Sequence, residues 1–220
     1  MLEHVLGDAV TLPPHRGVFL TETRRLHPDV CRFISEEIYE GRLVSHPDCG
    51  RQTTEFGTGL RWLRADHVGR STESVEEAQL VADEMHRLLG TSWVDQHVAS
   101  KPLTVEDFMV VAPYNDQVAL LREVLDADVR TRGVPVGTVD KFQGQEAAVV
   151  FFTMTTSSAD HMPRSADFLF SRNRLNVAIS RARCLAYLVC TESLLNSRAR
   201  TIEDMRLIST LCSFVDYCDN

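Results

Sequence analysis

Lysine is almost missing from this chain: Lys101 and Lys141 are the only two in 220 residues. A phosphate-cradling loop of the form G-x-x-x-x-G-K-[ST] needs a lysine to reach the β- and γ-phosphates. Lys101 stands in Ser-Lys-Pro and Lys141 in Asp-Lys-Phe, so the chain carries no Walker A loop. An acidic pair at a strand end, which would hold Mg²⁺, is missing too, because Asp83-Glu84 falls within the helical spacing of Ala78, Val81, Met85 and Leu88. No apolar run approaches the roughly 20 residues that span a membrane. Met1-Leu-Glu-His lacks a secretory pattern, so a cytoplasmic protein is expected. The six cysteines form no C-x-x-C pair, which fits reduced, structural thiols. His27 and His46 near Cys31 and Cys49 match no zinc-ligand spacing, and no metal site is expected. A net charge of −8 excludes a protein that coats nucleic acid over its whole surface; any strand contact must be local.

What is abundant is arginine, and its placement is uneven. The decapeptide Arg174-Leu-Asn-Val-Ala-Ile-Ser-Arg-Ala-Arg183 holds three arginines without an acidic residue among them. At helical spacing Arg174 and Arg181 point the same way, and Leu175, Val177, Ala178 and Ile179 supply buried contacts. A row of guanidinium forks suits phosphate oxygens. The apolar run Leu185–Cys190 follows at once, as expected where a helix feeds a buried parallel strand. Strands are expected near 18–21, 60–64, 108–112, 135–139, 148–153 and 185–190, and helices near 28–40, 75–89, 114–126, 171–183 and 202–217. The second helix opens on a capping box, Ser74-Val-Glu-Glu77, and the last carries Met205, Ile208, Leu211 and Val215 at helical spacing. Segments 45–59, 65–74, 91–106 and 156–168 read as polar loops. Alternating strands and helices predict one α/β domain over residues 1–220, a mostly parallel sheet with helices on both faces.

Four segments carry a family resemblance. Thr23-Arg-Arg-Leu-His-Pro28 resembles motif IV of superfamily 1 helicases, in the branch of the RNA-surveillance helicases and the replication helicase-nucleases. Thr138-Val-Asp-Lys-Phe-Gln-Gly-Gln-Glu146 resembles that branch's motif V, and Arg174–Arg183 its motif VI. Ala112-Pro-Tyr-Asn-Asp-Gln117 is similar to its T-P-Y-x-x-Q element. The four stand in the family's order between about Phe19 and Cys190, with motif IV near 19–28, motif V near 138–146 and motif VI near 172–183. The wording FQGQE and NRLNVA looks closest to bacterial helicases with a fused RecB-type nuclease.

The resemblance implies a second RecA-like motor lobe of a P-loop NTPase, lacking Walker A, with Met1 marking a boundary inside a longer protein. It implies ATP with Mg²⁺ as cofactor, held mainly by a first RecA-like lobe of the same polypeptide, and no ATP turnover by this chain alone. It assigns Arg25 and Arg181 to the γ-phosphate as transition-state arginines. Arg24, Gly144, Glu146 and Arg174 fall on the nucleotide side, Arg24 where the family commonly stacks an aromatic on adenine. Thr138, Asp140, Gln143, Tyr114, Asn115 and Gln117 are expected at single-stranded nucleic acid, DNA rather than RNA, with Phe142 a further stacking candidate and Trp62 assigned to the core. An upstream nuclease domain would be a further partner, because this chain has no E-x-K triplet. The alternative is a catalytically silent nucleic-acid-binding or partner-docking module with a helicase fold.

Overall fold

A computed structural model describes residues 18–163, 172–199 and 202–218. Its elements are β1 (Glu22–Thr23), α1 (Pro28–Tyr39), β2 (Val44–Ser45), β3 (Thr53–Thr54), β4 (Gly59–Ala65), α2 (Val75–Leu88), β5 (Ser92–Val94), β6 (Ser100–Pro102), β7 (Phe108–Val111), α3 (Asn115–Ala127), β8 (Val136–Gly137), β9 (Ala147–Thr153), α4 (Arg172–Ile179), β10 (Ala182–Thr191), α5 (Glu192–Leu195) and α6 (Ile202–Cys218). Five strands form an all-parallel sheet in the order β4-β10-β9-β7-β8. The expected doubly covered α/β architecture is present. Among the described residues no helix is long and apolar enough to cross a membrane.

Alternation along the two central strands divides the core in two. Val150 and Phe152 of β9, with Ala186, Leu188 and Cys190 of β10, face one cluster that includes Val30, Phe33, Leu211 and Phe214 from α1 and α6. Val149 and Phe151, with Leu185, Tyr187 and Val189, face the other, built against Ala78, Val81 and Met85 of α2 and Leu121 and Leu125 of α3. Both faces are apolar, which is why these strands read as unbroken hydrophobic runs. Phe151 stacks on Tyr187 at 4.7 Å, and Phe33 meets Phe214 edge-on at 5.3 Å.

Several expectations need correction. The helix expected over 171–183 ends at Ile179, with residue 171 outside the described residues, so Arg174 and Arg181 do not share one helix face. Arg181 instead lies in the tight turn into β10, because Ala182 must already pair with Ala147. Segments 45–59 and 91–106 are not wholly loop: β3, β5 and β6 form a small antiparallel sheet. Met205 is exposed at 58%, and Phe214, one turn beyond the expected stripe's Leu211, is the buried residue instead. The capping box is half made. Ser74 Oγ accepts from Glu77 N–H at 3.2 Å, but the Glu77 carboxylate turns inward and Ser74 N–H donates to Gln117 Oε1 at 2.7 Å.

Candidate nucleotide-facing arginine cluster

Strand register builds the site. Ala147 of β9 and Ala182 of β10 are direct partners, and Ala147 N–H donates to Arg181 C=O at 3.0 Å. The residues just before them, Glu146 and Arg181, therefore emerge side by side at the N-terminal edge of the sheet. The Thr23–Pro28 segment docks on the same edge, since His27 N–H donates to Arg183 C=O at 2.8 Å. Pro28 then starts α1 with the His27 ring accepting from Asp29 N–H, so Arg25 sits three residues ahead of a fixed helix start. Burial lowers the His27 pKa, with Asp29 acting against it.

Arg25 Nε donates to Glu146 Oε2 at 2.6 Å, and its Nη1 to Ser180 C=O at 3.0 Å. Arg183 lies 3.8 Å from the other oxygen of Glu146. Arg181 is held loosely, by a 3.5 Å bond from Nη1 to Gln145 C=O, and its Nε is buried with no hydrogen-bond partner. Burial, and secondly the charge of Arg25, pushes the Arg181 pKa down. Two guanidinium groups thus share the Glu146 carboxylate, and the third, that of Arg181, has a buried Nε without an acceptor.

The other expected residues divide by location. Glu146 and Gly144 stand with the arginines, and Gly144 at φ +82° takes a left-handed turn that a side chain would strain, although nothing crowds it. Arg24 is exposed, paired to Glu22 at 3.2 Å, on the rim of a cavity of about 550 Å³ that Leu26, Ile34 and Tyr39 also line. Arg174 braces the 138–146 segment through Asp140 at 3.6 Å. Thr138, Tyr114 and Asn115 lie at the opposite edge, where β7 and β8 end together through Ala112 N–H to Gly137 C=O at 3.1 Å. Gly137 is crowded by Lys141, whose Cδ would lie 2.5 Å from an added Cβ. Burial raises the Tyr114 pKa. Gln143 is exposed between the two edges.

Two assignments to the strand surface do not fit. Gln117 is 0% exposed, and its amide is spent on the Ser74 backbone, accepting from N–H and donating from Nε2 to C=O at 3.3 Å; it replaces the missing arm of the capping box. Phe142 is 2% exposed and belongs to the core under the 138–146 segment. Trp62 packs against the core as expected and donates to Cys190 C=O at 3.3 Å.

Sequence reasoning missed four residues. Gln52 is 1% exposed, and it bonds Arg25 C=O from Nε2 at 2.9 Å and accepts from Arg183 Nε at 3.0 Å. Trp93 of β5 lies under the Arg183 guanidinium, 5.0 Å from its ring centre. At the far edge Glu77 and His67 are fully buried partners at 3.0 Å. A polar residue bonding across the fold leaves no local sequence signal. Only the Arg183 repeat within Ser-Arg-Ala-Arg pointed toward this cluster.

Comparison with known proteins supplies the family. A family profile described as an AAA domain matches residues 1–193. DNA-binding protein SMUBP-2 of Mesocricetus auratus is 28% identical over 190 residues, covering 82% of this chain and 19% of that protein. DNA polymerase alpha-associated DNA helicase A of Schizosaccharomyces pombe is 29% identical over 182 residues, covering 75% and 26%, and helicase sen1 of the same yeast is 27% identical over 173 residues, covering 72% and 10%. The chain thus spans about a quarter or less of the length of these relatives. The chain belongs to the AAA domain family and is homologous to superfamily 1 helicases.

Proposed function

We propose that this chain is the second motor lobe of an ATP-dependent helicase, supplying Arg25 and Arg181 to the γ-phosphate of an ATP bound mainly, with its Mg²⁺, by a first RecA-like lobe. The observation that carries the reading is the desolvated, partnerless Nε of Arg181 beside Arg25. As the γ-phosphoryl group transfers, negative charge spreads over its oxygens and the leaving oxygen, and an arginine there contributes roughly 10³–10⁵ in rate. Glu146 holds Arg25 by Nε and the Ser180 carbonyl holds it by Nη1. Gly144 supplies the left-handed turn two residues before Glu146.

The 138–146 segment gives the coupling. It runs from the edge that carries Thr138 and Asn115 to the edge that carries Glu146, pinned midway by buried Val139 and Phe142. A strand phosphate held at Thr138 and the Asn115 helix start therefore connects mechanically to the arginine cluster. The names of two relatives, a DNA-binding protein and a DNA helicase, favour DNA over RNA. On this reading the chain alone turns over no ATP, and because the sequence has no E-x-K triplet a nuclease, where one exists, lies on another domain.

Arg181→Ala in the full-length protein is expected to lower kcat for strand-stimulated ATP hydrolysis by at least about 10²-fold with little change in KM, because charge at the γ-phosphate grows mainly during transfer. Its melting midpoint should not fall, since the change removes a poorly bonded cation. A large melting shift with unimpaired hydrolysis would overturn the assignment.

A further inference from the structure

We propose that Gln52 is a positioning residue for ATP hydrolysis, setting the spacing of Arg25 and Arg181 through a closed circuit of contacts anchored in the small antiparallel sheet. The inference rests on the helicase reading above and extends it to a residue outside the four motifs.

The circuit runs through four side chains. Gln52 Nε2 donates to the carbonyl of Arg25 at 2.9 Å and to that of Arg183 at 3.4 Å, while its Oε1 accepts from Arg183 Nε at 3.0 Å. Arg183 continues to Glu146 at 3.8 Å, and Glu146 returns to Arg25 at 2.6 Å. Both ends of Arg25, main chain and guanidinium, are thereby fixed relative to the segment that bears Arg181. Only a side chain with donor and acceptor on one rigid head closes this ring; a carboxylate has no donor for the two carbonyls, and an aliphatic residue has neither group.

Gln52 is itself held. Its N–H donates to Cys49 C=O at 3.2 Å, and it leads directly into β3, which pairs with β5 at Thr53–Val94 and Thr54–Trp93. Trp93 in turn lies 5.0 Å from the Arg183 guanidinium on one side and 5.0 Å from Lys101 Nζ on the other. A buried primary amide is stabilising only when its bonds are made, and every side-chain bond of Gln52 goes to Arg25 or Arg183. A residue that served packing alone would be apolar at 1% exposure.

The test uses the full-length protein with Gln52→Met, which keeps volume and removes the bonds, and Gln52→Glu, which keeps only the acceptor for Arg183. Arg181→Ala runs beside them. Misplacement of a catalytic group by about 1 Å can cost about 10²-fold in rate, so Gln52→Met should lower kcat at least about tenfold with KM for ATP changed less than about threefold, assayed below every melting midpoint. Gln52→Glu should lose kcat similarly, and it carries the test if the Met variant does not fold. If Arg181→Ala loses turnover while the folded Gln52 variant keeps wild-type kcat, the inference is overturned and the helicase reading stands. If Arg181→Ala keeps wild-type turnover, both fall. The Arg183 Nε–H resonance gives an independent readout: faster solvent exchange in the Gln52 variant is expected, and an unchanged rate would also overturn the proposal.

Discussion

Glu77 is the most consequential buried polar group in the fold, and its replacement by leucine and by glutamine should give opposite results. Its side chain is 0% exposed. One oxygen accepts from the N–H groups of Met154 and Thr155 at 3.0 and 2.9 Å, and the other meets His67 Nε2 at 3.0 Å. His67 Nδ1 continues to Ser157 Oγ at 2.8 Å, which accepts from Arg70 N–H at 2.9 Å. The network ties the ends of β4 and β9 to α2, and it holds Thr155 at φ +62°, a left-handed conformation for a β-branched residue. Glu77→Leu orphans the Thr155 N–H and a ring nitrogen, while Met154 N–H keeps its second acceptor, Val189 C=O, at 3.0 Å. At roughly 1–3 kcal/mol for each of these two unsatisfied groups, the loss should be about 2–6 kcal/mol, enough at its upper end to approach unfolding for a typical domain. Glu77→Gln keeps an oxygen for both backbone donors and offers an N–H to His67, so it should change stability by less than about 1.5 kcal/mol. Burial, the largest influence, raises the Glu77 pKa against the pull of His67 and the two N–H groups. The sign follows: stability from the neutral carboxyl is complete below the ordinary glutamate value and is lost as pH rises through the raised folded value. Wild type should therefore lose stability relative to Glu77→Gln on going from weakly acidic to neutral pH. Urea unfolding followed by Trp62 and Trp93 fluorescence measures this. Equal destabilisation by Leu and Gln, or a gain of wild type over Gln with rising pH, would refute the reasoning.

Two further outcomes test the core and the arginine cluster. Phe151→Ala, which removes a fully buried ring stacked at 4.7 Å on Tyr187 and 6.5 Å from Phe108, should lower unfolding free energy by about 3–5 kcal/mol, and a loss under 1 kcal/mol in a denaturant titration would show that the sheet core repacks freely. Glu146→Gln removes the charge that holds Arg25, yet this is a half-exposed ion pair at 31% and 43%, so thermal unfolding should shift by no more than about 1 kcal/mol while the full-length protein's ATP turnover falls about tenfold or more; the reverse pattern would make Glu146 a structural brace only.

The parts legible in the sequence are those whose physics is local or periodic. Apolar runs behind the strands expected near 148–153 and 185–190 announced the central strands, which span Ala147–Thr153 and Ala182–Thr191, because both faces of a parallel sheet are buried. Pro28 and Ser74 marked two helix starts to within a residue. The antiparallel sheet escaped because its strands are two or three residues long, too short to show alternation, and β6 contains only Ser, Lys and Pro. Gln117 and Phe142 looked like surface chemistry because their neighbours Asn115, Asp116, Asp140 and Lys141 are polar and exposed. Their burial depends on partners 43 residues away at Ser74 and across the core. Gln52 was invisible for the same reason, its bonds reaching residues 27 and 131 positions distant.

The cluster also explains how a chain of net charge −8 can present a local anion site. Its carboxylates are mostly committed elsewhere: Glu76 to Arg70, held well below the usual carboxylate range at about 2, Glu84 to Arg87 and Tyr187, Asp107 to Lys101. Among the described residues, Glu146 is the carboxylate that answers Arg25 and Arg183 at the N-terminal edge of β9 and β10, and Arg25 and Arg181 repel each other. That repulsion is tolerable because Gln52, Trp93 and Glu146 fix two of the three guanidinium groups by bonds that do not neutralise the third. On the proposed reading this asymmetry is what separates the roles. Arg25 and Arg183 are placed before nucleotide arrives, whereas Arg181 acquires its full set of partners only when charge builds on a γ-phosphate, so its contribution falls on the transition state rather than on binding.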